Sequence, residues 1–367
     1  MSPIAAFIIC WLIFLIPFFK YSFWQKNGLK IRVNFIGYNV LFFLATIFLA
    51  LNTNNADYST YEYVYKTNGT ATGFESNMIF GLLCKLFYSN GIEYQTFRVV
   101  AILFGLFSVY HFIKKESIKP LFIFVLYLIS SYVMDGIQFR QFMAMGVFLL
   151  ALPALMSEDK KGTFIYIVGI TIASAIHLSF AFFYLMLLIK VERKKRIKIA
   201  FGILVIFFGL FFILQKSGML LDVLGYFIPD NKVALYVTGD KYHNDTTAVL
   251  RFIVTQSLPL IGLLILFKKF NFYNKMDLNF INTVIGIDLL MLCLCPMFFY
   301  SLQFRRILRV VFLPSYIALE KMLPSELKST KFFMIVLMIV FSLISWYWNI
   351  TNNTDLLSNL FQNNLLY

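Results

Sequence analysis

The sequence predicts an all-α, polytopic integral membrane protein with about 12 transmembrane helices. Hydrophobic residues make up 60% of the chain, and the mean hydropathy is +0.77. An ordinary soluble domain has only about half of its residues apolar. Apolar runs of about 17 to 22 residues, the length of a membrane-spanning helix, recur from end to end. Transmembrane β-strands would instead alternate over segments of about ten residues, so a β-barrel is not indicated.

The apolar runs give the order of the spans. The candidate spans are 3–19, 34–51, 97–113, 120–134, 137–156, 163–176, 178–189, 198–214, 247–267, 279–300, 304–320 and 331–349. The run 78–88 is too short to cross about 30 Å of hydrocarbon, so it predicts a re-entrant or interfacial helix. The uncharged run 163–189 lies between two basic clusters. It therefore predicts two short helices with a turn near 174–179.

Charge predicts the orientation of these spans. Six basic clusters hold 21 of the 32 Lys and Arg residues, at 20–32, 114–119, 160–161, 190–198, 268–275 and 321–331. The positive-inside rule places such clusters in the cytoplasm, which also explains the net charge of +14 without nucleic-acid binding. Basic residues follow the first span rather than precede it, so we expect it to be uncleaved with its N-terminus outside. Residues 1–367 are predicted to form one membrane domain with two long extracytoplasmic loops, 52–96 (which contains the re-entrant helix) and 215–246.

Most arginines and most lysines lie on opposite sides of this predicted topology. Six of the nine arginines lie at predicted outer ends of spans: Arg98, Arg140, Arg251, Arg305, Arg306 and Arg309. Topology signals use Lys and Arg alike, so the sorting needs a chemical cause. Arg has a permanent charge and a planar fork of donors that binds phosphate in a bidentate manner. The sorting predicts an anionic, pyrophosphate-linked substrate at one face. The alternative is that some of these side chains snorkel to lipid headgroups.

Helical spacing distinguishes the three arginines that begin one span. Arg305 and Arg309 are four residues apart and share a helix face, whereas Arg306 points about 100° away. Three guanidinium groups there are costly unless they face a polar cavity or a partner. In another span, Gln141 follows Arg140 and could orient a hydroxyl group.

Three further positions could carry chemistry. His177, in His177-Leu-Ser179, titrates near neutral pH and could deprotonate a sugar hydroxyl, or it could only stabilise a turn. Asp57 and Tyr58 open the first outer loop, where Tyr and Asp suit stacking on and hydrogen bonding to sugar rings. Tyr63 and Tyr65 are typical of an interfacial aromatic belt.

Other polar residues indicate no metal or cofactor. The four cysteines lie in apolar segments and lack the spacing of a zinc site or a disulfide framework. No spacing among the three histidines is typical of a metal site. Asp288, about ten residues into its span, is either functional or paired with a polar group on a neighbouring helix.

Several short motifs follow one another in a recognisable order. They are Asp57-Tyr58-x-x-Tyr61, Phe74-Glu75, Arg98, Ile137-Gln138-Phe139-Arg140-Gln141-Phe142-Met143-Ala144 and His177-Leu-Ser179. This order resembles the EpsG-type branch of the Wzy oligosaccharide polymerases, which often show an early acid with tyrosines, an R-Q-x-x-A helix start and an H-x-S turn. The resemblance covers residues 50–190. Beyond 215 it is a pattern of spans, a large loop and the Arg305-Arg306 helix start, and Ala56 stands where a glycine is expected.

The resemblance implies a glycosyltransferase. Such enzymes join oligosaccharide repeat units carried on undecaprenyl pyrophosphate into the O-antigen of lipopolysaccharide, capsule or exopolysaccharide. They lie in the bacterial inner (cytoplasmic) membrane with the active site on the periplasmic, extracytoplasmic face. The implied partners are the lipid-linked oligosaccharides and the bilayer, without nucleic acid, and a chain-length regulator is compatible with this picture. On this basis Arg140, His177 and Arg305 are expected to be catalytic. The expected substrate-binding residues are Asp57, Tyr58, Arg98, Gln141, Arg251, Arg306 and Arg309.

Two other classes stay open. A membrane glycosyltransferase that adds single sugars from a lipid-linked donor would also place arginines outside, usually with an early carboxylate base such as Asp57. A lipid-oligosaccharide flippase would suit the number of spans. Transporters, however, usually show internal repeats and charged residues near the midplane. We find no repeat, and only Asp288 is a candidate for the midplane.

Overall fold

The computed structural model describes most of the helical part of the chain. The described residues are 2, 29–71, 78–157, 159–190, 193–217, 219, 246–269, 275–299, 305–323, 328–347 and 362–365. Helices dominate these ranges, with one isolated antiparallel bridge between Asn52 and Asn364. Helices are expected in a bilayer because they satisfy the backbone hydrogen bonds within one segment. The predicted first span (3–19) and nearly all of the predicted second loop lie outside the described residues.

The helices follow the predicted spans closely. Those of the first part of the chain are α1 (Leu29–Ala50), α2 (Tyr58–Thr70), α3 (Met78–Ser89), α4 (Tyr94–Glu116), α5 (Pro120–Ser130), α6 (Tyr132–Ile137), α7 (Phe139–Met156) and α8 (Lys160–Ile176), then a 3-10 helix (Leu178–Ile189). Those that follow are α9 (Arg193–Ser217), α10 (Thr246–Lys269), α11 (Lys275–Met291), a 3-10 helix (Leu292–Phe299), α12 (Arg305–Leu308), a 3-10 turn (Arg309–Val311), α13 (Phe312–Met322) and α14 (Lys328–Trp346).

Four helical segments in the described ranges are long and apolar enough to cross a membrane. They are Tyr94–Glu116, Phe139–Met156, Lys195–Leu214 and Asp277–Pro296. Shorter apolar helices accompany them, including Met78–Ser89 and Pro120–Ser130. The chain is therefore a multi-pass membrane protein, and the total of about 12 spans stays a prediction.

Local sequence explains where several helices begin. Asp159 caps α8, because its carboxylate accepts a hydrogen bond of 2.8 Å from the Gly162 N–H. Pro120 occupies the first position of α5. An N–H at this position has no partner within the helix, so the missing N–H of proline costs no hydrogen bond. Between α3 and α4 the chain turns at Gly91, whose φ of 67° is disfavoured for other residues.

The chain forms two compact units, which we describe separately. Unit 1 comprises residues 1–182 and 342–367. Within it α7 packs against both α4 and α8, and small residues line the two contacts. A Cβ atom on Gly146 would lie 3.0 Å from Ser108 Oγ of α4, and one on Gly169 would overlap Ala151 Cβ of α7. Such close approach is typical of helix packing in membranes.

Unit 2 comprises Phe183–Phe341. In this unit α11 packs against α9, α10 and α13. Arg196 of α9 donates to Asn279 Oδ1 at 2.8 Å and to Thr283 Oγ1 at 2.7 Å. The Ser315 hydroxyl of α13 lies 3.0 Å from each of the two carboxylate oxygens of Asp288. Asp288 is thus paired with a polar group on a neighbouring helix, one of the two roles expected for it.

The contact between α7 and α8 gives a stability prediction. We expect Gly169→Val to destabilise the protein by about 1–3 kcal/mol, because the new side chain would overlap Ala151. Gly209→Val in α9 is the matched control, since no described atom beyond the backbone of its own helix lies within 4 Å of the added Cβ. Thermal denaturation of both variants in detergent measures the difference. Equal midpoints would contradict the close packing of α7 on α8.

In unit 2 the predicted spans 279–300 and 304–320 each include a 3-10 segment. Two details of unit 1 also differ from the sequence prediction. The predicted loop 52–96 contains, besides the helix predicted at 78–88, a second helix, α2, whose polar composition conceals it. The run 120–134 was predicted as one span, but α5 ends at Ser130 and α6 begins at Tyr132. The Ser130 carbonyl at this break accepts a hydrogen bond of 3.1 Å from Ser345 Oγ. The pairing of short helices predicted within 163–189 agrees with the structure, in which α8 ends just before His177.

Candidate functional site

Arg98 lies at the end of unit 1 where α1 ends and α4 and α7 begin, which we call the loop end. Its side chain is fully buried, with no exposed surface. Nη1 donates to the Asn52 carbonyl, and Nη2 lies 3.5 Å from Asn52 Oδ1 and 3.4 Å from the Gly136 carbonyl. Gln95, one turn earlier in α4, donates to the same Asn52 carbonyl at 2.9 Å. The guanidinium group therefore joins the first residues after α1 to α4 and α6.

Tyrosines of α2 cover the two arginines of the loop end. The Arg98 guanidinium carbon lies 5.9 Å from the centroid of the Tyr58 ring. The corresponding carbon of Arg140, in the first turn of α7, lies 5.8 Å from the Tyr61 ring and 5.4 Å from the Phe80 ring of α3. These separations allow cation–π attraction. Arg140 is half-buried and so remains partly open to a ligand.

A series of contacts between aromatic rings links the ring beside Arg98 to the ring beside Arg140. The Tyr58 ring meets the Tyr94 ring edge-on at 4.9 Å, and the Tyr61 ring meets the Phe139 ring at 4.6 Å. The Tyr94 and Phe139 rings lie 6.3 Å apart. Tyrosine rings of this kind offer both apolar faces and hydroxyl groups, which suits a sugar.

Four buried polar atoms at the loop end have no hydrogen-bond partner among the described residues. They are Tyr94 Oη, Gln95 Oε1, Arg98 Nε and Arg140 Nε. No carboxylate within the described ranges forms an ion pair with Arg98 or Arg140. Buried polar groups and charges are nearly always satisfied. Donors of this kind, two guanidinium groups and a phenol hydroxyl, are chemically suited to an anionic, oxygen-rich group, and only Arg140 is partly exposed.

Two tyrosines of α2, Tyr58 and Tyr65, keep their protons. Burial raises the pKa of Tyr58, although nearby Arg98 lowers it and the acids Glu62 and Glu93 raise it. Burial also raises the pKa of Tyr65 to about 12, with smaller contributions from Cys84 and Tyr88. At neutral pH both phenols are therefore hydrogen-bond donors rather than anions.

Tyr65 does not belong to an interfacial belt. It is 2% exposed, its hydroxyl donates to the Ile92 carbonyl at 2.6 Å, and its ring stacks on Phe97 at 5.1 Å. Tyr63, on the opposite side of α2, is 68% exposed, as a belt residue would be. The belt interpretation was therefore wrong for Tyr65, which fastens α2 to the start of α4.

The other predicted residues of unit 1 are Asp57, Gln141 and His177. Asp57 precedes α2, and its N–H donates to Asn55 Oδ1 at 3.2 Å, while its carboxylate makes no capping bond. Gln141, beside Arg140 in α7, is buried. His177 ends α8, with Nδ1 2.7 Å from Ser179 Oγ and the ring edge-on to Phe180. Roles for these residues in binding or catalysis stay predictions.

The remaining predicted arginines lie in unit 2. Arg309 is buried, 4% exposed, in the 3-10 turn that joins α12 to α13, and Arg306 is half-buried. The backbones of Arg251 in α10 and Arg305 in α12 are described, but their side chains lie outside the described part of the chain. The structure thus groups Arg98 and Arg140 in unit 1, and it places the other four in unit 2.

The sequence prediction missed residues that build the loop end. Asn52 is fully buried and accepts hydrogen bonds from both Gln95 and Arg98. Phe80 of α3 provides one of the rings beside Arg140. The one signal in the sequence was position, because Asn52 directly follows an apolar run and Gln95 lies three residues before an arginine in a span.

Comparison with known proteins agrees with this architecture. Residues 35–363, most of the chain, match the EpsG family. No curated protein and no solved structure shows a significant match. The matched region includes α1 to α14 apart from the first turns of α1, and it contains the whole loop end. The family consists of membrane proteins of the polysaccharide-polymerase type. With its multi-pass helical fold and this match, the chain belongs to the EpsG family.

Proposed function

We propose that this protein polymerises oligosaccharide repeat units linked to undecaprenyl pyrophosphate, at the extracytoplasmic face of a bacterial cytoplasmic membrane. The observation that supports the proposal best is the loop end itself. It holds two guanidinium groups without an acidic partner among the described residues, beside tyrosine rings and unsatisfied polar atoms. A pyrophosphate would balance these charges, and a sugar would suit the rings and hydroxyl groups.

The reaction forms one glycosidic bond and breaks one bond to phosphate. A hydroxyl oxygen of the incoming unit attacks the anomeric carbon of the growing glycan, and the bond from that carbon to the pyrophosphate oxygen breaks. Arg140 and Arg305 stabilise the negative charge that develops on the leaving pyrophosphate. His177 accepts the proton of the attacking hydroxyl. Asp57, Tyr58, Gln141, Arg98, Arg251, Arg306 and Arg309 are assigned to substrate binding.

Purified protein and a lipid-linked repeat unit test this proposal. We expect a ladder of products that differ by one repeat unit, together with release of the polyprenyl pyrophosphate. In cells, deletion of the gene should leave a single repeat unit on the lipid acceptor. Addition of one sugar in each catalytic turnover would instead support a glycosyltransferase that adds single sugars. Movement of intact lipid-linked units across a vesicle membrane, without formation of glycosidic bonds, would support a flippase.

The predicted face can be tested by cysteine labelling. On a background without the native cysteines, we expect a membrane-impermeant maleimide to label Asn231→Cys in intact cells but not Lys194→Cys. The basic cluster 190–198 predicts a cytoplasmic position, and the loop 215–246 lies across the membrane from it. Permeabilised cells provide the control, since both cysteines should then react. Labelling of Lys194→Cys in intact cells would reverse the topology.

A further inference from the structure

A segment near residue 364 pairs with the residues that follow α1. The Thr53 N–H donates to the Asn363 carbonyl at 2.6 Å, and the Leu365 N–H donates to the Leu51 carbonyl at 2.9 Å. These two bonds flank the antiparallel bridge between Asn52 and Asn364. Residues 363–365, which we call the strap, therefore hold the backbone of 51–53 from the side opposite to α4.

Side chains strengthen this pairing. The Asn363 carbonyl also accepts a bond of 3.0 Å from Asn52 Nδ2 and one of 3.0 Å from Thr53 Oγ1. Asn364 Nδ2 donates to the Phe48 carbonyl in the last turn of α1 at 3.1 Å. Asn364 is 6% exposed and Asn52 is fully buried. Each of these bonds is expected to stabilise the pairing, and a buried amide left without a partner would destabilise the fold.

The same asparagine leads from the strap to the candidate site. Asn52 accepts hydrogen bonds from Arg98 and Gln95, and its Oδ1 also accepts a bond of 3.2 Å from Asn55 Nδ2. Asn55 Oδ1 in turn accepts the Asp57 N–H at 3.2 Å, and the Asn55 carbonyl accepts the N–H of Tyr58, the first residue of α2. The strap is thus connected by hydrogen bonds to the start of α2.

We propose that the strap is a positioning element of the substrate site: by fixing Asn52 it sets Arg98 and the start of α2, and so places Tyr58 and Tyr61 against the two arginines. The inference rests on the proposed function for the identity of the substrate, a polyprenyl pyrophosphate with attached sugars. Asn52 and Asn364 are its positioning residues, and neither needs to touch the substrate. Loss of the strap should therefore weaken binding rather than abolish the bond-forming chemistry.

A disulfide tests the pairing without any assay of activity. Thr53 and Asn363 stand opposite each other, so their Cα atoms should be about 5.5 Å apart, which is within the range that a disulfide bridges. On a cysteine-free background, we expect Thr53→Cys/Asn363→Cys to cross-link with a mild oxidant. Thr53→Cys/Gln362→Cys is the control and should cross-link far less, because Gln362 is not opposite Thr53. Equal cross-linking of the two pairs would overturn the pairing.

A backbone substitution tests the positioning. Leu365→Pro removes the N–H that bonds to Leu51, whereas Leu365→Ala keeps it and serves as the matched control. We expect Leu365→Pro to weaken binding of a polyprenyl pyrophosphate about tenfold. We expect the KM for the lipid-linked repeat unit to rise by a similar factor, with kcat within about threefold of wild type. Leu365→Ala should stay within about twofold of wild type in all three measurements. A loss of folded protein would instead lower kcat without a change in KM.

Rescue and binding separate this inference from the proposed function. Adding Thr53→Cys/Asn363→Cys to Leu365→Pro should restore binding when oxidised and lose it again on reduction. If wild-type protein binds the polyprenyl pyrophosphate but makes no polymer, the proposed function fails, whereas the tenfold difference in binding still supports the strap. Equal binding by wild type and Leu365→Pro would overturn the inference, even if wild type is an active polymerase. If wild type does not bind the lipid at all, both fail.

Discussion

Replacing Arg140 by lysine is expected to lower polymerisation by about 100-fold or more. The substitution keeps a positive charge but loses the planar fork that binds two phosphate oxygens at once. It also loses the flat guanidinium group, whose central carbon lies 5.8 Å from the Tyr61 ring centroid and 5.4 Å from the Phe80 ring centroid. Removing one donor that stabilises a developing negative charge typically costs about 10²–10³ in kcat. The measurement is the rate of ladder formation by purified protein.

Matched substitutions decide whether this loss is specific. Arg305→Lys is expected to lower the rate of polymerisation as much as Arg140→Lys does. Arg306→Lys should lower it less, because Arg306 lies off the predicted face shared by Arg305 and Arg309. Lys66→Ala, in an exposed ion pair with Glu62 on α2, should retain activity. If Arg140→Lys and Arg305→Lys, at normal expression, both make the full ladder of polymer products, the two residues serve only to anchor their helices at the lipid headgroups.

Replacing His177 by alanine is expected to lower chain growth by about 10²–10⁴-fold while the substrate still binds. A positioned general base contributes about that factor when it takes a proton from a hydroxyl of high pKa. Nδ1 lies 2.7 Å from the Ser179 hydroxyl, which orients the ring, so the base would act through Nε2. Single-turnover rates and substrate affinity, measured on the same purified protein, separate loss of chemistry from loss of binding.

A second substitution distinguishes a base from a turn residue. His177→Asn keeps a polar side chain next to Ser179 but cannot accept the proton, so it should be as impaired as His177→Ala. His111→Asn in α4 is the control, because that histidine is exposed and outside the candidate site. Near-normal turnover of His177→Asn, with the pH profile of wild type, would leave His177 a purely structural role.

The helices that the sequence predicted best are those with clear boundaries. The prediction for α7 began at 137 and ended at 156, and the structure has Phe139–Met156, which the polar residues Gln138 and Ser157 flank at its two ends. The break between α5 and α6 could not be predicted in the same way. Its partner, Ser345, is 215 residues away in the sequence, and no local pattern in 120–134 reveals that contact.

The site follows the same division. Charge made Arg98 and Arg140 visible, since a guanidinium group in an apolar span is costly without a reason. Tyr58 and Tyr61 were visible through their spacing after Asp57. Asn52 was not, because a neutral amide after an apolar run is typical of any loop. Its importance lies in bonds to Arg98 and Asn363, which only the folded chain brings together.

The bridge between Asn52 and Asn364 also dictates an order of assembly. Asn52 and Asn363 bond to each other across 311 positions of the sequence, and such distant contacts form late because a long loop must close first. During synthesis α1 and α4 can enter the membrane and pack before the ribosome has made residues 363–365. The first loop therefore reaches its final arrangement only after α14 has been made. Until then a nascent chain contains Arg98 and Arg140 but lacks the hydrogen bonds from 363–365 that fix the residues around them.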